Sequence, residues 1–377
     1  MTSDPHPERR LRVLHLILML GETNSQYNEH CLPTMGERDL TIVTYFEPRL
    51  TPPPQIAMFA GDGTVRGFLR ALRAALDAGR YDVIHGHAPE SAAMLVFALV
   101  VWGRFRRLRP SLAYTVHDSF YDYSLRNQAL MLFTLRAFSR VVFCSRAAYD
   151  SFPRLWRWLV RDRWSVVQNG ADFDRVDRVL AASAGAARER FTVVSVGRLE
   201  KVKDPLVVLE AFAAGAGPDD RLVFIGTGAL GSALVERAGA LALGDRVELT
   251  GLVERDEVFR RCAAADLFVS ASRGEGLPVA VMEVMATGCP AVLSDIPQHR
   301  ELLEGTEVAP LVATGDVEGF ARQIRRFREL RPDERLDAGR RGREHVVDTF
   351  ALARMHAGYE QVYRELARPQ PSTARVP

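Results

Sequence analysis

The chain has 377 residues, 47% of them hydrophobic and 25% charged, enough apolar mass for sizeable cores and a length that favours two domains over one. A formal net charge of +2 argues against a nucleic-acid binder. The four cysteines, Cys31, Cys144, Cys262 and Cys289, are too scattered for a disulfide framework or a structural zinc site, so a cytoplasmic protein is expected.

The N-terminal stretch PERRLRVLHLILMLGETN joins basic residues to an apolar run as a signal peptide does, but no small-residue cleavage site follows; a first buried strand leading into a loop at Gly21 accounts for it. From there, short apolar runs alternate with amphipathic segments, the pattern of parallel sheets covered by helices. In the first half, strands are predicted at RVLHLILML (12–20), LTIVTYF (40–46), YDVIHGH (81–87), LAYTVHD (112–118), RVVFCS (140–145) and WSVVQNG (164–170). The apolar run AAMLVFALVVWG (92–103) is too short to span a bilayer. Residues 171–190, rich in Ala and punctuated by Gly, read as a linker with a helix in it. Strands resume at FTVVSVG (191–197), RLVFIGTG (221–228), RVELTG (246–251), DLFVSAS (266–272) and PAVLSD (290–295). These runs give an α/β protein of two doubly wound lobes, residues 1–175 and 190–350, followed by an amphipathic helix at about 351–368 and a Pro-rich tail, 369–377, expected to be disordered.

Of the 49 Lys and Arg residues, only Lys201 and Lys203 are lysine, and both lie in the turn RLEKVKD that follows the first strand of the second lobe. Ligand crevices of α/β proteins form at the carboxyl ends of parallel strands, and the helix starting at Pro205 adds free N–H groups and a positive dipole end. Arg198 and Lys203 would face an anion there from two sides, whereas Lys201 reads as a solvated charge. A second signal is ADLFVSASRGEGLPVAVMEVMATGCP (265–290), a strand, a Gly-containing loop and a helix, with Glu275 in the loop and Glu283 two turns into the helix. Buried carboxylates are rare without partners, and a carboxylate can accept hydrogen bonds from two hydroxyls at once, as a ribose or a sugar ring offers.

These segments, with DVIHGHAP, TVHD and VVQNGAD earlier in the chain, resemble the retaining glycosyltransferases of family 4, most specifically over residues 191–305. The resemblance implies the GT-B fold, two Rossmann-like lobes with a cleft between them, and a nucleotide-sugar donor in the second lobe with an acceptor in the first. It implies that Arg198 and Lys203 clamp the donor diphosphate, that Glu283 holds the ribose, and that Glu275 holds hydroxyls of the transferred sugar. Gly226, Gly228, Val253, Gly276, Leu277 and Val279 would line the donor site, and Gly21 its counterpart in the first lobe. His117 in TVHD resembles the first-lobe histidine that reaches the donor sugar, and the helix in FALARMHAGYEQVYRELARP (350–369) would cross back onto the first lobe. Two cations at the diphosphate stabilise the leaving group without a metal, so no metal and no other cofactor are assigned; the resemblance further implies retention of configuration with no dedicated protein base, so no general base is assigned.

The chain departs from the family in its first loop, where Glu22 stands in place of a second glycine. Glu22, Tyr27 and His30 are then candidate acceptor-side residues. The Asp-x-Asp pair at 172–174 reads as a decoy for a metal site. GTGALG (226–231) fits a dinucleotide fingerprint and keeps an NAD(P)-dependent oxidoreductase open, although RVELTG does not end in the ribose-binding acid. A fold retained as an inactive partner protein is the other alternative. All four tryptophans lie beside arginines in segments 101–110 and 153–164, a composition found in helices that rest on anionic membranes, so peripheral contact with the inner face of a membrane is expected, and a lipid-linked acceptor is among the candidates.

Overall fold

The computed structural model describes residues 9–21, 24–108, 111–182 and 190–367. They form two compact units, one of the described residues up to Val167 with those from Ala353 to Ala367, the other of the described residues from Gln168 to Leu352.

The first unit is built on seven parallel strands, β1 (Arg12–Ile17), β2 (Asp39–Thr44), β3 (Ile56–Phe59), β4 (Val83–Gly86), β5 (Leu112–Val116), β6 (Arg140–Phe143) and β7 (Trp164–Val166), in the order β3-β2-β1-β4-β5-β6-β7. Its central strands are buried on both faces, as in a sheet covered by helices on both sides. Phe68 and Leu72 of the helix Val65–Ala78, Leu95 and Leu99 of Pro89–Val101, and Met131 and Leu135 of Leu125–Ala137 seal the core. The last helix, Leu352–Ala367, belongs to this unit and buries Tyr359 and Tyr363 in it.

The second unit holds six parallel strands, β8 (Thr192–Val196), β9 (Arg221–Ile225), β10 (Val247–Leu249), β11 (Leu267–Ser270), β12 (Ala291–Ser294) and β13 (Leu311–Val312), in the order β10-β9-β8-β11-β12-β13. Both sheets therefore reverse direction of growth once, between β1 and β4 and between β8 and β11. At such a switch point the following loops diverge and leave a crevice.

The unit boundary differs from the expected 175/190. The helix Phe173–Ala181, capped by Asp172, buries Phe173, Val176 and Val179 with Phe259, Met282 and Phe350, so the expected linker begins as part of the second unit's core. Residues 183–189 and the tail 369–377 lie outside the described residues. Strands β3 and β13 were not among the predicted runs.

Candidate active site

At the switch point of the second unit, β8 ends at Val196 and Gly197 takes φ +146°, a conformation that L side chains rarely adopt. The methylene stem of Lys203 packs over it, its Cδ and Cε 3.8 Å from where a Cβ would stand. The turn that carries Lys203 closes on itself through Lys203 N–H to Glu200 O, then passes through Asp204 at φ +47° into a helix with Pro205 at its first position. From β11, the loop comes alongside: Arg273 donates its backbone N–H to Val202 O at 2.8 Å and its side chain pairs with Asp204 at 2.6 Å. The two loops are thereby joined where the sheet order reverses, and Lys203 Nζ donates to both oxygens of Glu275, at 2.5 and 2.6 Å. The chain's rare ammonium group serves this contact.

Glu275 is only 8% exposed. Burial pushes its carboxyl up, but the Lys203 charge, the field of His299 and hydrogen bonds from Lys203 and Ser272 together hold it below the usual carboxylate range, so it is ionised at neutral pH. His299 had no assigned role in the sequence. It is fully buried on the helix Pro297–Leu302, shares its Nδ1 with Ser294 O at 2.8 Å, and is lowered by burial although Glu275 pulls it the other way.

Glu283 lies inside the helix Val279–Ala286 and bonds to Nε of Arg255 at 2.9 Å and to its Nη2. Burial raises its carboxyl despite Arg255 and Arg175. Arg255 heads the helix Arg255–Ala264 and reaches Glu283 only through the tertiary fold, so no local spacing announced it. The start of the Glu283 helix has no side-chain cap, and the first N–H groups of a helix have no partner within it, which leaves a donor set beside Gly276 and Leu277 suited to an anion.

The other donor-side residues divide. Arg198 is two-thirds exposed and pairs with Glu200 at 3.0 Å, so in this conformation it is not drawn onto Glu275. The side chain of Leu277 is core, so it can offer a ligand only its backbone, while Val253 and Val279 pack half-buried against the same cluster and keep part of their side chains exposed. Gly226 and Gly228, read as approaching the nucleotide, are explained by the protein itself. A Cβ on Gly226 would stand 2.1 Å from Gly197 O, and one on Gly228 2.4 Å from Leu199 O. Bonds from Leu199 N–H to Thr227 O and from Leu230 N–H to Leu199 O knit this turn to the Lys203 loop. These glycines set the position of the Lys203 loop by close backbone packing.

The dinucleotide alternative finds no acid at the end of β10, since Glu248 is held by Arg221 at 2.6 Å and Arg261 at 2.9 Å. Asp172 of the Asp-x-Asp pair accepts from Arg175 N–H as a helix cap, which accounts for it without a metal.

In the first unit, Gly21 borders a cavity of about 320 Å³ lined also by Ile17, Met19, Asn24 and His87, with open space where a Cβ would be. Tyr27 and His30 were expected to face an acceptor from a helix start. Both are buried, in a π-helical turn Gln26–Cys31, Tyr27 anchored through its N–H to Asn24 Oδ1 and His30 edge-on to His87, His117 and Tyr359. Glu22 lies outside the described residues. His117 follows β5, half-buried, with Nε2 3.0 Å from His87 Nδ1. The tryptophan signal is corrected in part. Trp156 packs on Phe120 and Trp164 stacks on Tyr149, while Trp158 and Leu155 are exposed; residues 109–110 lie outside the described residues.

Residues 32–175 match Glycosyltransferase Family 4 and residues 178–345 match Glycosyl transferases group 1. The chain belongs to glycosyltransferase family 4. This chain is 24% identical over 266 residues, 64% of its length and 65% of the relative's, to the UDP-Gal:alpha-D-GlcNAc-diphosphoundecaprenol alpha-1,3-galactosyltransferase of Escherichia coli. It is 27% identical over 199 residues, 52% of its length and 51% of the relative's, to the N-acetyl-alpha-D-glucosaminyl L-malate synthase of Bacillus anthracis. The matches thus span about half to two thirds of these relatives. Among solved structures, sucrose-phosphate synthase from Thermosynechococcus elongatus superposes with a TM-score of 0.78 at 18% identity, over 95% of this chain and 99% of that one. Anabaena HepE in complex with UDP-glucose gives 0.73 at 17%, over 94% and 100%. The fold is GT-B.

Proposed function

We propose that this chain transfers a sugar from a UDP- or GDP-linked donor to an acceptor hydroxyl, with retention of configuration and without a metal ion. The contact between Lys203 and Glu275 at the β8/β11 switch point carries the proposal. Breaking the bond to a nucleoside diphosphate develops negative charge on the departing phosphate and positive charge on the sugar ring. The proposal assigns the first to Lys203, Arg198 and the N–H groups at the start of the Glu283 helix, and the second to the neighbourhood of the Glu275 carboxylate. Glu275 also accepts from the hydroxyls of the sugar, Glu283 takes the ribose, and His117 contacts the transferred sugar. Lys203 arrives preorganised, because its partner holds it in place before any ligand binds.

The acceptor class rests on the first unit. Phe97 and Val101 of Pro89–Val101, Phe133 of Leu125–Ala137, and Leu155 and Trp158 of Arg154–Val160 are largely exposed on successively packed helices. Of these, Phe97 also lines a mostly apolar cavity of about 610 Å³, with Leu18, Tyr45, Phe46, Met94 and Leu130 and the charged pair Glu90 and Arg126. Such a face suits an acceptor with an apolar tail, reached at an anionic membrane surface; no helix among the described residues is long and apolar enough to cross a membrane. Sedimentation with anionic vesicles is expected to carry the protein down, and protein left entirely in the supernatant would remove this part.

A thermal-shift panel with UDP, GDP, ADP and NAD tests the donor. A ligand at about 100 times its dissociation constant adds roughly 2.7 kcal/mol, several degrees in the midpoint. UDP or GDP is expected to raise it. A rise with NAD alone would overturn the transferase reading in favour of GTGALG.

A further inference from the structure

The switch point of the first unit gathers histidines that the donor site does not use. His15 on β1 and His85 on β4 are register partners, and the loops after β4 and β5 bring His87 and His117 to the same place. His15 Nδ1 and His87 Nε2 share a hydrogen bond at 2.9 Å, and His87 Nδ1 and His117 Nε2 share the next at 3.0 Å, with successive rings nearly parallel and their centroids 5.2 and 5.3 Å apart. The array runs outward, from a fully buried His15 through His87 to a half-buried His117. His85 stands aside from it, with one nitrogen on the Tyr363 hydroxyl at 2.6 Å and the other on Thr115 at 2.7 Å.

Burial brings His15 to about 3 and His117 to about 4 and places His87 well below its ordinary value, so all three rings are neutral at pH 7. A neutral imidazole has one N–H and one lone pair, so in a row of them every hydrogen bond must point the same way. The buried end decides which. His15 Nε2 has no partner among the described residues. If His15 accepted from His87, it would strand an N–H in the interior. If it donates through Nδ1, only a lone pair goes unmet. Stranded interior N–H groups are the rarer of the two. The row therefore reads His15 to His87 to His117, and His117 accepts at Nε2.

We propose that His15 and His87 are positioning residues that fix His117 as the Nδ1–H tautomer, so that it offers a hydrogen-bond donor, and not an acceptor, to an oxygen of the transferred sugar. What His117 meets rests on the transferase reading above; the tautomer is a property of the free protein. The ligand atoms of His15, His85 and His87 also come within 4.8 Å of one another, as a metal site would require. Five of their six ring nitrogens are already in hydrogen bonds, which favours the proton-ordered array.

The test is long-range proton–nitrogen correlation NMR on the full chain with nitrogen-15 histidine, for wild type, His87→Asn and His87→Gln, paired with initial rates. The Asn amide falls near the place of Nδ1 and can still donate to His117, whereas the Gln amide falls near Nε2 and keeps only the His15 side. Wild type and His87→Asn are expected to show His117 protonated on Nδ1, and His87→Gln a mixture of tautomers. His87→Gln should lower kcat about tenfold with the KM for the nucleotide sugar nearly unchanged, and His87→Asn should recover most of that loss. Protonation on Nε2 in the wild type overturns the proposal whatever the variants do. So does an identical tautomer in all three proteins, or a stoichiometric transition metal whose removal alters the histidine spectrum. The expected wild-type spectrum in a protein that turns over no nucleotide sugar would uphold the ordering of the array and sink the transferase reading.

Discussion

The two units share one strand order around their switch points and fill the resulting crevices with opposite chemistry. In the second, between β8 and β11, charge is concentrated and paired: Lys203 with Glu275, and Arg255 with Glu283. In the first, between β1 and β4, the polar groups are rings held neutral, the buried His15, His30, His85 and His87 and the half-buried His117, with His85 joined to the hydroxyls of Thr115 and Tyr363 and Thr115 to that of Tyr359. The same topology therefore supplies a place and not a chemistry. A crevice lined with fixed charges suits an anionic leaving group, and one lined with ordered hydrogen bonds suits hydroxyls.

The sharpest way to break the comparison is to remove the charge. Lys203→Ala should lower the transfer rate by about 10²–10³-fold, the range found for losing one preorganised electrostatic contact, while His87→Asn at the other crevice should cost little. Lys203→Arg should rescue only in part, because a guanidinium can pair with the two oxygens of Glu275 but spreads its charge over a larger plane and cannot put a compact charge where Nζ stands. Initial rates at saturating donor decide it, and wild-type turnover in Lys203→Ala would take Lys203 out of the site.

Glycines sharpen the same contrast at the level of packing. Gly228→Ala puts a methyl into Leu199 O and should destabilise the second unit by about 1–3 kcal/mol. Gly21→Ala enters open space beside a cavity and should leave the thermal midpoint of the first unit within about a degree or two. Equal losses from the two substitutions would mean that the loop after β9 is not the rigid support inferred for Lys203.

The strands that lie inside each sheet were legible as continuous apolar runs because both of their faces are covered. Strand β3 was not, since Pro52, Pro53 and Pro54 precede it and Ala57 is exposed, as befits an edge. Strand β13 is two residues long and carries no pattern. That Lys203 and Glu275 meet was within reach of the sequence, because a rare residue type in the turn after β8 and an acid in the loop after β11 both fell at carboxyl ends of strands read as neighbours of a crevice. Arg255 and His299 were not, for Arg255 pairs with Glu283 and His299 acts through its field on Glu275 across 28 and 24 residues of chain. The histidine array was hidden differently. His15, His85, His87 and His117 were all inside segments quoted for their strands, but only the sheet order β1-β4-β5 sets them side by side.

Acidification should separate the crevices most gently. His15, His30, His85, His87 and His117 of the first unit all have folded values below the ordinary 6.5, so the unfolded chain binds the extra proton first as pH falls, and stability drops from about pH 6.5 downward by up to about 1.4 kcal/mol per pH unit for each ring concerned. The second unit has one such buried ring, His299. Its Glu275, held below the usual range, loses its contribution only as pH falls through the ordinary carboxylate value and below, and Glu283, raised by burial, works in the opposite direction. Calorimetric scans from pH 7 to pH 5 should therefore show the transition of the first unit moving down several times faster than that of the second, with fragments or unit-specific tryptophan fluorescence assigning the two, since all four tryptophans lie in the first. Parallel movement of both transitions would mean that the histidines are already charged at neutral pH. That would remove the neutral hydrogen-bonded crevice from the comparison.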